Sequence, residues 1–130
     1  MDAFKKAVES SDPAAIEAVL ADDVVFSSPA VFKPYLGKTE TMVVLTAVTR
    51  VFDDFRYTRT YEGPEGSVLV FEARVGDKAI EGADYVRINA DGLVDELKVM
   101  VRPLSGLNAL VAAMGKAIEQ VLAEKGLSAT

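Results

Sequence analysis

The chain has 130 residues, enough for one domain with a substantial buried core. Half of its residues are hydrophobic and 26% are charged, the balance of an ordinary globular protein. The net charge of −6, without a cluster of lysines and arginines, argues against nucleic acid or anionic membranes as partners. Cysteine and histidine are both absent, which excludes disulfides and thiol catalysis and removes the commonest general base and metal ligand. We therefore expect neither a metal nor a cofactor.

The chain carries no recognisable targeting or membrane segment. No apolar run approaches the ~20 residues that a membrane-spanning helix needs. The N-terminus has no apolar stretch of the kind found in signal peptides. We expect a single domain over residues 1–130 in the cytoplasm.

Helical signals fill the first third of the sequence. Residues 2–10 predict a first helix with apolar side chains on one face. Asp12 can cap a second helix that begins at Pro13 and runs to about Ala21. A β-rich run at residues 24–28 follows.

A third helix is predicted after a loop rich in proline and glycine. The β-rich run stops at Pro29, and Thr39 is a candidate cap for the next helix. That helix carries apolar residues at helical spacing, from Val44 to Phe52.

The rest of the chain changes to a period of two. Turn residues separate predicted strands at 55–61, 67–75, 78–89 and 93–102, and a final helix covers about 105–124. Helices followed by a run of hairpin-linked strands predict an α+β fold, with helices on one side of an antiparallel sheet.

Alternation assigns two faces to these strands. One face is apolar and should be the inner one. The opposite face carries charged residues, but it also holds a set of large or apolar ones, Val68, Val70, Ala83, Tyr85 and Met100. This predicts that another subunit or the C-terminal helix covers the outer face.

Asp84 is the one exception on the apolar inner face. A buried carboxylate is costly unless it is paired or protonated. Three interpretations stay open: a structural acid hydrogen-bonded to an amide or a tyrosine, a carboxyl group directed into a ligand cavity, or a residue turned to solvent by a β-bulge. Tyr35 and Tyr57 are candidate donors to Asp84 or to a ligand.

An ordered set of short segments resembles the SnoaL-like proteins of the nuclear transport factor 2-like superfamily. The segments lie at residues 11–13, 21–24, 28–29, 37–40, 82–86, 91–94 and 99–104. The resemblance implies a cone-shaped, strongly curved antiparallel sheet wrapped by N-terminal helices, a C-terminal helix, an apolar pocket and a dimer. It does not imply one function, because the superfamily contains isomerases, cyclases, epoxide hydrolases, dehydratases and transport adaptors.

The ketosteroid isomerase branch can be compared position by position. The residue that matches its general base is Ser28, and the residue that matches its oxyanion-hole tyrosine is Phe4. Of the three aligned positions, only that of the oxyanion-hole acid holds the same residue type as in the isomerases, and this residue is Asp84. We therefore expect no classical ketosteroid isomerase activity.

Two other branches also lack a match. The epoxide hydrolases need an Asp-Arg-Asp group in the pocket, whereas Glu72 and Arg74 fall on the outer face and Val99 occupies the last-strand position. The SnoaL-type cyclases pair a histidine with an aspartate, which this chain cannot do.

We predict a protein that binds a small apolar ligand, with Asp84 as the candidate catalytic residue. One alternative is an isomerase, cyclase or dehydratase that uses Asp84 as acid, base or oxyanion donor on a polyketide- or terpenoid-like substrate; another is a dimeric interaction module. The predicted pocket-lining residues are Phe4, Phe26, Ser28, Phe32, Tyr35, Leu45, Val48, Phe55, Tyr57, Leu69, Phe71, Val86, Leu97, Val99 and Val101.

Overall fold

The structure, a computed structural model, describes residues 1–126 of the chain. Its elements in order are α1 (Asp2–Glu9), α2 (Pro13–Ala18), β1 (Leu20–Ser27), β2 (Tyr35–Leu36), α3 (Lys38–Val51), β3 (Asp53–Gly63), β4 (Gly66–Val75), β5 (Lys78–Ile88), β6 (Val94–Arg102) and α4 (Leu104–Glu124). The predicted α+β fold is confirmed, with three helices before the strand run and one after it.

All six strands form one sheet in the order β2-β1-β6-β5-β4-β3. The four strands from β3 to β6 pair antiparallel with their sequence neighbours, as the hairpin turns predict. β1 pairs antiparallel with β2 but parallel with β6. The parallel pair was not predicted, because periodicity tells which face a side chain takes and not which strand lies beside it.

The boundary between α2 and β1 differs from the prediction. Helix α2 ends at Ala18 instead of about Ala21, and β1 begins at Leu20, ahead of the predicted start at residue 24. The carbonyl of Val19 accepts the amide of Val94 at 2.9 Å, so this backbone already joins the sheet. Leu20 is fully buried, and its spacing from Ile16 fits a helix as well as a helix-to-strand turn.

The start of α3 also differs from the prediction. Gly37, with φ of 89°, occupies the N-cap position, so Thr39 lies inside the helix and does not cap it. The carboxylate of Glu40 instead accepts the amide of Leu36 at 3.1 Å. The positive φ suits glycine, which has no Cβ to oppose it.

The helices pack against the inner face of the sheet in two groups. One core cluster joins residues of α1, α2 and α3 to the sheet, including Phe4, Ile16 and Leu69. A second cluster joins Leu110 of α4 to inner-face residues of β4 and β5, among them Phe71. Because α4 lies on the inner side, it does not cover the outer face.

The outer face is partly exposed in the single chain. Tyr85 is 43% exposed and Met100 is 50% exposed, while Val68, Val70 and Ala83 are half-buried. Of the two predicted ways to cover this face, only a second subunit is compatible with the position of α4. Over residues 1–126, no helix combines the length and apolar character needed to cross a bilayer.

Candidate ligand-binding site

A cavity of about 270 Å³ lies between the helices and the sheet and takes walls from both core clusters. Its floor comes from β1, β4, β5 and β6, and its other walls from the four helices, the loop after β1 and the start of β3. The lining is mostly aliphatic and aromatic. Among the described lining residues, Asp84 is the one acid, and there is no lysine or arginine.

The geometry of β5 directs Asp84 into this cavity. Ile80, Gly82 and Val86 share its face by alternation, and all three are buried. Asp84 lies opposite Leu69 of β4 and Val99 of β6, and the pairing of β4 with β5 runs without a register shift. The β-bulge interpretation, with Asp84 turned to solvent, is therefore wrong.

Tyr57 is the hydrogen-bond partner of Asp84. The Tyr57 hydroxyl donates to Oδ2 of Asp84 at 2.7 Å, and Asp84 is only 7% exposed. Tyr57 lies on β3, so its side chain reaches across β4 to β5. Of the two tyrosines considered from the sequence, Tyr57 and not Tyr35 donates to the acid.

Burial controls the protonation of this pair. It raises the pKa of Asp84 from 3.8 to about 7, although the hydrogen bond from Tyr57 opposes the shift. Burial also raises the pKa of Tyr57 above its usual value, and the negative charge of Asp84 adds to this. Asp84 is therefore the group that changes charge near neutral pH, and Tyr57 stays a neutral donor.

One carboxyl oxygen of Asp84 has no hydrogen-bond partner among residues 1–126. Tyr57 is bonded to Oδ2, and no other group in residues 1–126 donates to the carboxyl. Oδ1 is not sealed inside the core: Thr41 holds the one fully enclosed and unpaired side-chain oxygen in the same part of the chain. Since Asp84 lines the cavity, Oδ1 is available to a ligand.

Aromatic rings surround this end of the cavity. The ring centroid of Phe55 lies 5.0 Å from that of Phe71 and 5.0 Å from that of Tyr57. Phe71 lies over Gly82, where an added Cβ would be 2.2 Å from its Cζ. Gly82 therefore leaves room for the ring two residues before Asp84 on the same face.

Ten of the predicted lining residues line the cavity together with Asp84. They are Phe4, Phe26, Ser28, Tyr35, Leu45, Val48, Phe55, Phe71, Leu97 and Val99. Phe4, Ser28 and Asp84, the three positions matched to the ketosteroid isomerases, thus surround one cavity.

Five predicted lining residues lie elsewhere. Phe32 is fully exposed in the loop between β1 and β2, where its side chain has no packing partner. Leu69 and Val86 are on the inner face, but the first core cluster encloses them. Val101 packs on the second cluster, and Tyr57 contributes through its hydroxyl on Asp84 without lining the cavity.

The sequence reasoning missed one wall of the cavity. Helix α4 contributes five residues, namely Leu110, Val111, Met114, Gly115 and Ile118. From the sequence, the C-terminal helix was considered as a cover for the outer face of the sheet and not as a wall of the cavity. Gly115 is the signal that was available, because a glycine within the apolar stripe of a helix leaves space beside the helix.

Ser28 stabilises a turn at the cavity wall. Its Oγ accepts the amides of Ala30 and Val31 at 3.3 Å each, which holds the turn after β1. An alcohol hydroxyl engaged in this way is not a general base for proton removal from carbon.

The outer-face charges form surface pairs and not a second site. Arg102 pairs with Glu81 at 3.3 Å, and Arg74 donates to the carbonyl of Asp77 at 2.9 Å. Within residues 1–126, no group of three or more acidic side chains is arranged to hold a metal ion.

The sequence matches no protein-family model and no curated protein. It is 37% identical to a steroid delta-isomerase from Pseudomonas aeruginosa, over 92% of this chain and 89% of that one, and the two structures superpose with a TM-score of 0.86. The chain belongs to the nuclear transport factor 2-like superfamily. The predicted resemblance is therefore confirmed.

Other members of the superfamily share less sequence. An uncharacterized bacterial protein with a cystatin-like fold from Silicibacter pomeroyi is 32% identical, over 88% of this chain and 82% of that one, with a TM-score of 0.84. A putative SnoaL-like polyketide cyclase from Shewanella denitrificans is 13% identical, over 88% of this chain and 93% of that one, with a TM-score of 0.64. The latter shows the fold alone.

Asp84→Asn should stabilise the protein by an amount that grows with pH. The folded-state pKa of about 7 lies above the value of 3.8 for a free carboxyl, so the native state holds the proton more tightly than the unfolded chain. The penalty is absent below the unfolded pKa, grows between the two values and is constant above about 7. The free energy of unfolding of the variant, relative to wild type, should rise by about 1.4 kcal/mol per pH unit across that window.

Urea denaturation between pH 4 and 8 measures this difference. Glu65→Gln, at an exposed position in the turn between β3 and β4, is the matched control for loss of a carboxylate. An Asp84→Asn difference that stays flat across this range contradicts the assignment of Asp84 as a buried acid with a raised pKa.

Proposed function

We propose that this protein binds a small hydrophobic ligand in the cavity and holds the ligand's polar group at Asp84. The observation that carries the proposal is the single carboxyl group of an otherwise apolar cavity, fixed through Oδ2 by Tyr57 with Oδ1 unpaired. A concave, largely apolar site with a few placed polar groups is the usual form of a small-molecule site. A relative described as a steroid delta-isomerase supports a ligand-binding or isomerase-type role.

A second candidate function is catalysis by Asp84 on a polyketide- or terpenoid-like substrate. Its pKa of about 7 lets this acid hold or release a proton at neutral pH, which suits an isomerase, cyclase or dehydratase. Binding remains the first proposal, because acid–base catalysis usually needs two convergent titratable groups and Tyr57 stays protonated. Neither role calls for a cofactor.

We further propose a homodimer in the cytoplasm, formed through the outer face of the sheet. The support is the apolar set on that face, of which Tyr85 and Met100 are the most exposed. Apolar patches of this kind on a soluble protein commonly mark interfaces.

Adding a large side chain at Gly115, which lines the cavity, should weaken ligand binding. A Cβ at Gly115 would meet no atom within 4 Å, so Gly115→Leu adds a side chain beside the cavity without a backbone clash. We expect the affinity for a fluorescent apolar probe to fall at least about tenfold. Ala112→Leu is the matched control, because Ala112 is exposed on the same helix and does not line the cavity. Unchanged probe binding by Gly115→Leu would place the binding site elsewhere.

Wild-type protein should not convert Δ5-3-ketosteroids measurably. Ser28 and Phe4 occupy the cavity positions matched to the isomerase base and tyrosine, and neither side chain can perform those roles. The double variant Phe4→Tyr, Ser28→Asp should gain activity, followed by ultraviolet absorbance of the conjugated product. Adding Asp84→Asn to the double variant should remove that gain. Robust turnover by wild type would show that the positional match is wrong.

The outer face should dimerise at micromolar concentration. Met100→Lys places a charge in the proposed interface and should yield monomer, whereas Lys116→Glu on exposed α4 should leave the dimer intact. Sedimentation velocity distinguishes the two masses. A wild-type monomer at that concentration would refute the proposed interface.

A further inference from the structure

We propose that the ligand carries a cationic, alkylated nitrogen, which binds against Oδ1 of Asp84 while its hydrophobic part fills the cavity. This inference rests on the proposed binding function and specifies the chemical class of the ligand. It follows from the charge around Asp84, from the nature of the cavity walls and from the hydrogen bond that Tyr57 makes.

Within residues 1–126, no cationic side chain lies where it could compensate the charge of Asp84. The lining holds no lysine or arginine, and the pKa of Asp84 responds only to burial and to Tyr57, so no cation of the chain compensates it. Glu9 of α1 lies behind Tyr57, where its Oε2 accepts the Tyr57 amide at 3.3 Å. Lys5, also on α1, is directed to Thr60, with its Nζ 3.3 Å from Oγ1. A ligand cation would supply the missing opposite charge.

The hydrogen bond from Tyr57 favours the ionised form of Asp84, although burial outweighs it and keeps the pKa of the acid raised. The phenolic proton is given to Oδ2, and a hydrogen bond to a carboxylate stabilises its ionised form. The residues packed beside the acid on the neighbouring strands, Leu69 and Val99, are apolar and add no competing charge. When Asp84 is ionised, Oδ1 is therefore an acceptor to which no group of residues 1–126 donates.

The walls select an alkylated nitrogen over a bare ammonium group. A primary ammonium group brings three N–H donors, and an unpaired buried donor is costly. The lining offers them Oδ1 as its one unpaired carboxyl oxygen, besides the hydroxyls of four residues, Ser11, Ser28, Tyr35 and Thr49. Methyl or methylene groups on the nitrogen instead pack against apolar walls. Phe55 and Phe71 line the cavity, and aromatic faces attract cations within ~6 Å.

The competing ligand class is a neutral molecule whose oxygen accepts a hydrogen bond from protonated Asp84. The two classes predict opposite pH dependences. A cation binds the ionised acid, so its affinity should rise with pH up to about 7 and then level off. A neutral acceptor binds the protonated acid, so its affinity should fall above about pH 7.

Benzyltrimethylammonium and neopentylbenzene test the inference, since they differ mainly in a charged nitrogen in place of a carbon. Both would be titrated as competitors of a fluorescent apolar probe between pH 5.5 and 8.5. We expect the cation to bind at least about tenfold more tightly than the hydrocarbon at pH 8. Its advantage should shrink by up to about tenfold per pH unit below 7, while the hydrocarbon's affinity stays constant.

Two variants separate a charge effect from a change of shape. Asp84→Asn should remove the tighter binding of the cation and leave the affinity for the hydrocarbon unchanged. Tyr57→Phe keeps the ring but removes the hydrogen bond that lowers the pKa of Asp84, so the midpoint of cation binding should move to higher pH. A merely structural role for Tyr57 would not move that midpoint.

Equal or tighter binding of the hydrocarbon by wild type at pH 8 would overturn the cationic ligand and leave the proposed binding function standing. A cation advantage that survives Asp84→Asn would also overturn it. If neither compound displaces the probe at any pH, the cationic ligand fails, and if no apolar probe binds at all, the proposed binding function fails with it.

Discussion

The inner face of the curved sheet must be covered, and two separate sets of helices cover it. Helices α1 to α3 cover one part of the face and α4 covers another, each through its own core cluster. The cavity lies where these two sets meet and takes wall residues from both. The cavity thus arises from the way the core is divided, and its apolar character follows from that origin.

Burying the carboxyl group of Asp84 in these apolar surroundings lowers the stability of the folded protein. A shift of its pKa from 3.8 to about 7 corresponds to about 4 kcal/mol at neutral pH, a large part of the 5–15 kcal/mol that stabilises a typical domain. Tyr57 offsets only part of the cost of burying the charge. A hydrophobic side chain would avoid this cost while still filling space between Leu69 and Val99. Strongly perturbed acids cluster at functional sites, which supports the proposal that Asp84 binds the ligand.

Local signals predicted the elements, and alternation predicted the placement of Asp84. Burial alternates along β5 from Ile80 to Arg87, as the sequence pattern predicted, and the regular pairing of β4 with β5 removes the β-bulge that the sequence alone left open for Asp84. The features that were not predicted depend on contacts between distant parts of the chain. The parallel pairing of β1 with β6, the early start of β1 at Leu20 and the α4 wall are set by tertiary packing. Phe32 was predicted to line the pocket but is exposed, because an aromatic residue in a loop has no periodicity that shows where its side chain lies.

The contact between Tyr57 and Asp84 illustrates how the same fold can hold different chemistry. In the matched isomerase position on α1, this chain has Phe4, which supplies a ring but no hydroxyl. The hydroxyl instead comes from β3, where Tyr57 reaches across β4 to Oδ2. Because this donor approaches from within the sheet, it satisfies one carboxyl oxygen without occupying the cavity, and the other oxygen is left for a ligand. This arrangement supports the proposal that Asp84 binds the ligand's polar group, while Ser28, whose Oγ holds the turn after β1, supplies no base to the cavity.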